Sequence, residues 1–183
     1  MRVTRLKLEG TFEISMEPRC DHRGYFARSY DREIFVEHGL NTDWIQENQS
    51  QSVHKDTIRG LHFQHSPYTE TKLVRVVRGA ILDVFVDIRE DSETYGHWDS
   101  VELTEDSLKY VYIPKGFAHG FRTLTDIATV QYKVDSVYSP EHDAGIFWND
   151  DDLRIDWGDF NNPLVSEKDS KLPPLRELQN LTT

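Results

Sequence analysis

Residues 59–64, RGLHFQ, place an arginine, a glycine, a histidine and a glutamine side by side. Upstream, QENQSQSV offers Gln46, Asn48 and Ser50; downstream, KLVRVVRG opens with Lys72. Imidazole ordinarily titrates near neutral pH, so His62 is a candidate proton acceptor. A second histidine, His119, sits in PKGFAHGF, again among glycines, where backbones can approach closely. Tyr132 in TVQYKV and Tyr138 in VYSPEH supply phenols. A tyrosine facing a histidine across a β cavity gives two proton-transfer groups on opposite sides of a substrate. Each has a plainer reading as well. A histidine in a strand is commonly packed or solvated, and a tyrosine commonly buries its ring and leaves its hydroxyl at the rim.

A metal site is the obvious rival. Pro114 to His119, PKGFAH, matches P-x-G-x-x-H, the second half of the cupin signature. Metal-binding cupins need an H-x-H pair and a glutamate in the first half, whereas this chain has His62-Phe63-Gln64-His65. Side chains three apart on a strand face opposite sides, so His62 and His65 do not share a metal and the ligand set is incomplete. The sequence therefore predicts a cupin-like jelly roll with no metal. No trustworthy Ser-His-Asp arrangement is present, and no glycine-rich phosphate loop joins a strand to a helix. Cys20 has no signature around it.

The elements that must position these residues are mostly strands. KLVRVV (72–77), a turn at Arg78-Gly79 and AILDVFVDI (80–88) read as a hairpin. WDSVELT, KYVYIP, GFRTL and TVQYKV follow at sandwich-like spacing, separated by DSETYG, PKG, TDIA and SPEHDAG. DREIFVEHG (31–39) reads as a short helix with a glycine stop. SEKD (166–169) matches a capping pattern that opens a short turn or helix, ended by Pro173-Pro174. The fold expected is an all-β, cupin-like jelly-roll sandwich with short peripheral helices. It is a single domain over 1–183, with 176–183 as a loose tail.

Composition narrows the partners. With 21 basic and 32 acidic residues the net charge is −11, which opposes binding nucleic acid or an anionic membrane through the overall field. A few converging arginines can still hold an anion. Apolar residues make up 37%. That low share implies a polar-lined structure, or a thin sandwich covered by another subunit. One cysteine permits no intrachain disulfide, the N-terminus MRVTRLKLEG has no apolar core, and no run reaches membrane-spanning length. The expectation is a soluble cytoplasmic protein.

Eight stretches in order carry a resemblance: DHRGYF (21–26), QENQSQS (46–52), RGLHFQ (59–64), residues 72–96, YIPKGFAHGF (112–121), YKV to Tyr138 (132–138), GIFWNDDDLRIDW (145–157) and SEKD (166–169). Together they resemble the dTDP-4-dehydrorhamnose 3,5-epimerase family over almost the whole chain. The resemblance implies a homodimer that exchanges an N-terminal segment. It also implies no metal or cofactor, and epimerisation of a nucleotide-diphosphate-linked 4-keto-6-deoxy sugar. By the same resemblance His62 is the base, Asp169 its carboxylate partner, Tyr132 the acid on the other face and Lys72 the cation near the keto oxygen. Arg23, Gln46, Asn48, Arg59 and Lys168 match positions that hold the nucleotide diphosphate. Phe26 and Tyr138 match aromatic contacts, and His119 a histidine lining the site.

One departure stands out. The family commonly has a glutamate, associated with the thymine edge, where this chain has Arg28. Arginine has no acceptor for the thymine N3–H, whereas its fork suits the acceptors of guanine or cytosine. Arg28 is thus either a base contact or a solvated side chain. Two rivals to the double epimerase follow: a single-carbon epimerase of a GDP- or CDP-linked 4-keto sugar, and a non-catalytic cupin that binds sugar nucleotides.

Overall fold

The computed structural model describes residues 1–178. Strands β1 (Arg2–Arg5) and β2 (Phe12–Ser15) come first, then a small hairpin of β3 (Arg19–Asp21) and β4 (Gly24–Phe26), then helix α1 (Arg32–Glu37). The body follows as β5 (Gln46–Ser52), β6 (Thr57–Gln64), β7 (Lys72–Arg78), β8 (Ala80–Asp87), β9 (Trp98–Thr104), β10 (Lys109–Ile113), β11 (Phe117–Thr123) and β12 (Ala128–Val134). The chain closes with β13 (Asp143–Gly145), β14 (Leu164–Val165), a 3-10 turn at Asp169–Lys171 and the helical turn α2 (Leu175–Leu178).

Two sheets stack as a cupin-like sandwich. One runs β1-β2-β10-β7-β12-β5; the other runs β13-β6-β11-β8-β9, with β14 parallel to β6. Alternate side chains explain the layers. Val74 and Val76 of β7, Ile81 and Phe85 of β8, Phe117 and Phe121 of β11, and Ala128 and Val130 of β12 pack between the sheets. Val84, Val86 and Ala118 face outward, under Leu153, Trp157 and Leu175 of the C-terminal segment. Leu73, Tyr110 and Tyr112 face outward from the other sheet, under Phe35 of α1 and Leu40. Both sheets are thus covered on both faces, which is why β7 and β8 read as nearly continuous apolar runs. The outer cover comes in large part from the chain's own connections.

The expected helix forms where its cap directs it: Asp31 accepts from Glu33 N at 3.1 Å. The SEKD pattern also forms its turn, with Ser166 Oγ accepting from Asp169 N at 3.0 Å. Of the tail expected over 176–183, residues 176–178 instead belong to α2, which docks Leu175 and Leu178 into the outer core. Residues 179–183 lie outside the described residues. Among the described residues no helix is long and apolar enough to cross a membrane.

Candidate active site

An ideal strand would turn Arg59 and His62, three positions apart, to opposite faces. In β6 the register with β11 slips between His119 and Phe121, opposite Gly60, whose φ is +111°. Ile58, Leu61 and Phe63 therefore face the outer core, while Arg59 and His62 both face the cleft between the sheets. A Cβ on residue 60 would lie 2.6 Å from His119 O and 2.7 Å from Gly120 Cα, so only glycine fits. His65 lies beyond the strand, edge-on to Phe63 with ring centres 5.1 Å apart, and lines a different cavity from His62.

His62 Nε2 lies 2.8 Å from Asp169 Oδ1, across 107 residues of sequence. Asp169 is 4% exposed, and its other oxygen accepts from Gly60 N at 3.0 Å. Burial alone would raise its carboxyl. The hydrogen bonds from His62, the Gly60 N–H and Ser166 outweigh that and hold it below the usual carboxylate range. Asp169 thus stays a carboxylate that fixes the imidazole and stabilises its protonated form. Among the described residues His62 Nδ1 has no hydrogen-bonding partner, so that nitrogen is free for a proton.

The cleft holds about 570 Å3 and also takes in Arg59, Lys72, His119, Tyr132 and Asp169. It continues past His62, Lys72 and Tyr132 into a second space of about 380 Å3 lined by Gln46, Asn48, Tyr138, Asp143 and Lys168. Lys72 is buried; its Nζ lies 3.1 Å from Glu70 Oε1 and donates to His62 O at 3.4 Å. Tyr132 sits opposite Asn48 of β5 in register. Its phenol is pushed above the usual value, first by burial and then by the Glu70 charge, against Arg59 and a hydrogen bond with Asn48. It is therefore protonated at neutral pH. Arg59 is steadied by Ser52 Oγ and Gln51 O, each at 3.1 Å. His119 Nε2 lies 2.7 Å from the fully buried Asp83.

At the outer end Asp143 joins two further residues. Its Oδ2 accepts from Tyr138 Oη at 3.0 Å and from Lys168 Nζ at 2.5 Å. Its own hydrogen bond to Asp143 raises each of Tyr138 and Lys168 above its ordinary value. Gln46 Oε1 accepts from Tyr138 N at 3.3 Å.

Three sequence-predicted residues stand apart from the cleft within this chain. Arg23 pairs with Asp21 at 2.6 Å on the β3–β4 hairpin, and Phe26, on the same hairpin, is 70% exposed. Arg28 pairs with Asp31 at 2.6 Å, beside the cap of α1. Sequence reasoning missed Glu70, Asp83 and Asp143. Asp83 left a signal, a charge inside the apolar run AILDVFV. Glu70 left a weaker one, two positions before Lys72. Asp143 left none, because SPEHDAG reads as a turn.

The model of the dTDP-4-dehydrorhamnose 3,5-epimerase family matches residues 5–177. The enzyme of that name from Methanothermobacter thermautotrophicus is 44% identical, over 96% of this chain and 95% of its own length. The Escherichia coli K12 one is 44% identical, over 99% and 98%. A dTDP-4-dehydrorhamnose 3-epimerase from Streptomyces niveus is 38% identical, over 98% and 86%. The crystal structure of the Bacillus anthracis 3,5-epimerase with TDP and pyrophosphate superposes with a TM-score of 0.91 at 41% identity, covering 94% of this chain and 98% of that one. On the match over nearly the whole chain in sequence and in fold, this chain belongs to the dTDP-4-dehydrorhamnose 3,5-epimerase family of isomerases.

Proposed function

We propose that this protein epimerises a dTDP-linked 4-keto-6-deoxyhexose at C3 and C5. The observation that carries this is the dyad of His62 and Asp169, facing Tyr132 and Lys72 across one cleft. The C–H beside a ketone is weakly acidic, so a positioned base is needed. His62 Nδ1 takes the proton, and the bonding pair moves to the C4 oxygen as an enolate. The Lys72 ammonium stabilises that charge. Tyr132 O–H then returns a proton to the opposite face, and the ketone re-forms with the carbon inverted. Solvent reprotonates the phenolate and relieves the imidazolium before the second carbon reacts. Electrons end where they began, so the residues present suffice without a redox group.

The diphosphate falls to Arg59 and Lys168, and the nucleoside to Gln46, Asn48 and Tyr138. In this reading His119 lines the sugar. The hairpin bearing Arg23 and Phe26 completes the site of a partner protomer in a homodimer, which accounts for their exposure in a single chain. Arg28 is engaged by Asp31 beside a helix cap, which favours a local role over a guanine or cytosine contact and leaves the thymine nucleotide as the substrate. A second reading, inversion at C3 alone, is favoured by the Streptomyces niveus relative.

NMR in D2O with dTDP-4-keto-6-deoxyglucose separates them. Deuterium at both C3 and C5 supports the double epimerase, and deuterium at C3 alone supports the second reading. His62→Ala should abolish exchange at both carbons; exchange at the wild-type rate in that variant would remove His62 as the base.

A further inference from the structure

Glu70 lies on the connection between β6 and β7, two residues before Lys72, and its carboxylate enters the space below the cleft. Its two oxygens are divided. Oε1 meets Lys72 Nζ at 3.1 Å, and Oε2 accepts from Gln64 Nε2 at 3.3 Å. Both side chains of the ion pair are shielded, Lys72 at 8% exposure and Glu70 at 14%. Gln64 is held in turn by Tyr68 O at 3.0 Å and Val137 O at 3.2 Å, and its own oxygen accepts from Ser139 N at 2.7 Å. Glu70 thus ties the ends of β6 and β7 to the loop that carries Tyr138.

An ammonium has three donors. Glu70 and the His62 carbonyl take two, which fixes the direction of the third. We propose that Glu70 is a positioning residue for the epimerisation: it aims the Lys72 ammonium at the keto oxygen and sets the charge balance around Tyr132. The proposal rests on the roles given above to Lys72 and Tyr132.

Two opposed consequences follow. A carboxylate beside Lys72 subtracts from the field that the enolate feels, so Glu70 trades some stabilisation for orientation. The same carboxylate disfavours a phenolate at Tyr132, and its charge ranks just after burial in raising that phenol. The charged or titratable groups that line these spaces with Tyr132 are Glu70 itself, Arg59 and His62 on β6, Lys72 on β7, His119 on β11, and Tyr138, Asp143, Lys168 and Asp169 from the later segments. Of these, Glu70 is the carboxylate that opposes Arg59 at the phenol. A general acid must hold its proton, so Glu70 extends the working range on the alkaline side.

The test compares pH profiles of kcat and KM for wild type, Glu70→Gln, Glu70→Ala and Tyr132→Phe with dTDP-4-keto-6-deoxyglucose. Glu70→Gln is isosteric and keeps an acceptor for Lys72. It should move the alkaline limb of kcat to lower pH while leaving optimal kcat within about threefold. Glu70→Ala should make the same move and also lose about tenfold in kcat, with KM within about threefold, because the ammonium loses its anchor. A merely structural Glu70 would lower the melting temperature and leave the limb in place. Superposable limbs in wild type and Glu70→Gln overturn the proposal while the epimerase reading stands. A limb that survives in the residual turnover of Tyr132→Phe overturns the acid assignment beneath it.

Discussion

Asp169 satisfies two donors from the same strand: one carboxylate oxygen fixes the His62 ring and the other the Gly60 N–H. Asp169→Asn replaces an anion by an amide, which cannot stabilise an imidazolium. We expect kcat to fall about 10²- to 10⁴-fold with little change in KM, read from deuterium exchange. The same carboxyl is held below its ordinary range in the folded state. Its contribution to stability is therefore present above the unfolded carboxylate value and lost as pH falls through the lowered folded value. Melting temperature should drop on acidification in wild type and drop less in Asp169→Asn; parallel curves would count against this linkage. His62 was legible in the sequence, but its carboxylate was not readable by spacing, being 107 residues away. It came through the family resemblance alone. Glu70, Asp83 and Asp143 escaped because each acts through a neighbour across a strand or turn, a relation that linear spacing does not encode.

The strands from β7 to β12 were legible because branched and aromatic residues recur between turn signals. β5 was not. QENQSQS has no apolar alternation, being an edge strand whose first four residues are exposed, yet it supplies Gln46 and Asn48. Nor was the slip in β6, which rests on Gly60 and defeats the period-two rule at the point where the chemistry sits. That slip makes a sharp prediction. Gly60→Ala adds a Cβ 2.6 Å from a backbone oxygen at a φ of +111°. Strain of about 2–4 kcal/mol should lower the melting temperature by roughly 5–10 °C. Activity at temperatures where the variant is folded should fall further than stability alone accounts for, because Arg59 and His62 no longer share a face. A variant with wild-type melting and kcat would show that the slip is dispensable.

The whole chain carries a net charge of −11, yet Arg59, Lys72 and Lys168 converge on one cleft. Local geometry thus outweighs the overall sign. Two further groups matched to the substrate, Arg23 and Phe26, are absent from that cleft and stand on a hairpin with Tyr25 61% and Phe26 70% exposed. In the homodimer proposed above, such a hairpin would serve the partner's site and each site would be served in return. Mixing distinguishes exchange from a hairpin that serves its own site. Arg23→Ala and His62→Ala are each expected to be nearly inactive. In a mixed dimer the protomer with Arg23→Ala keeps its own His62 and borrows an intact Arg23 from its partner, so one of its two sites is whole. Random reassortment makes half the dimers mixed, so activity should recover to about one quarter of wild type. If the hairpin serves its own chain, every site in the mixture lacks one group and no activity returns. Sedimentation of the mixture fixes the fraction of protein in dimers, by which the expected one quarter is scaled.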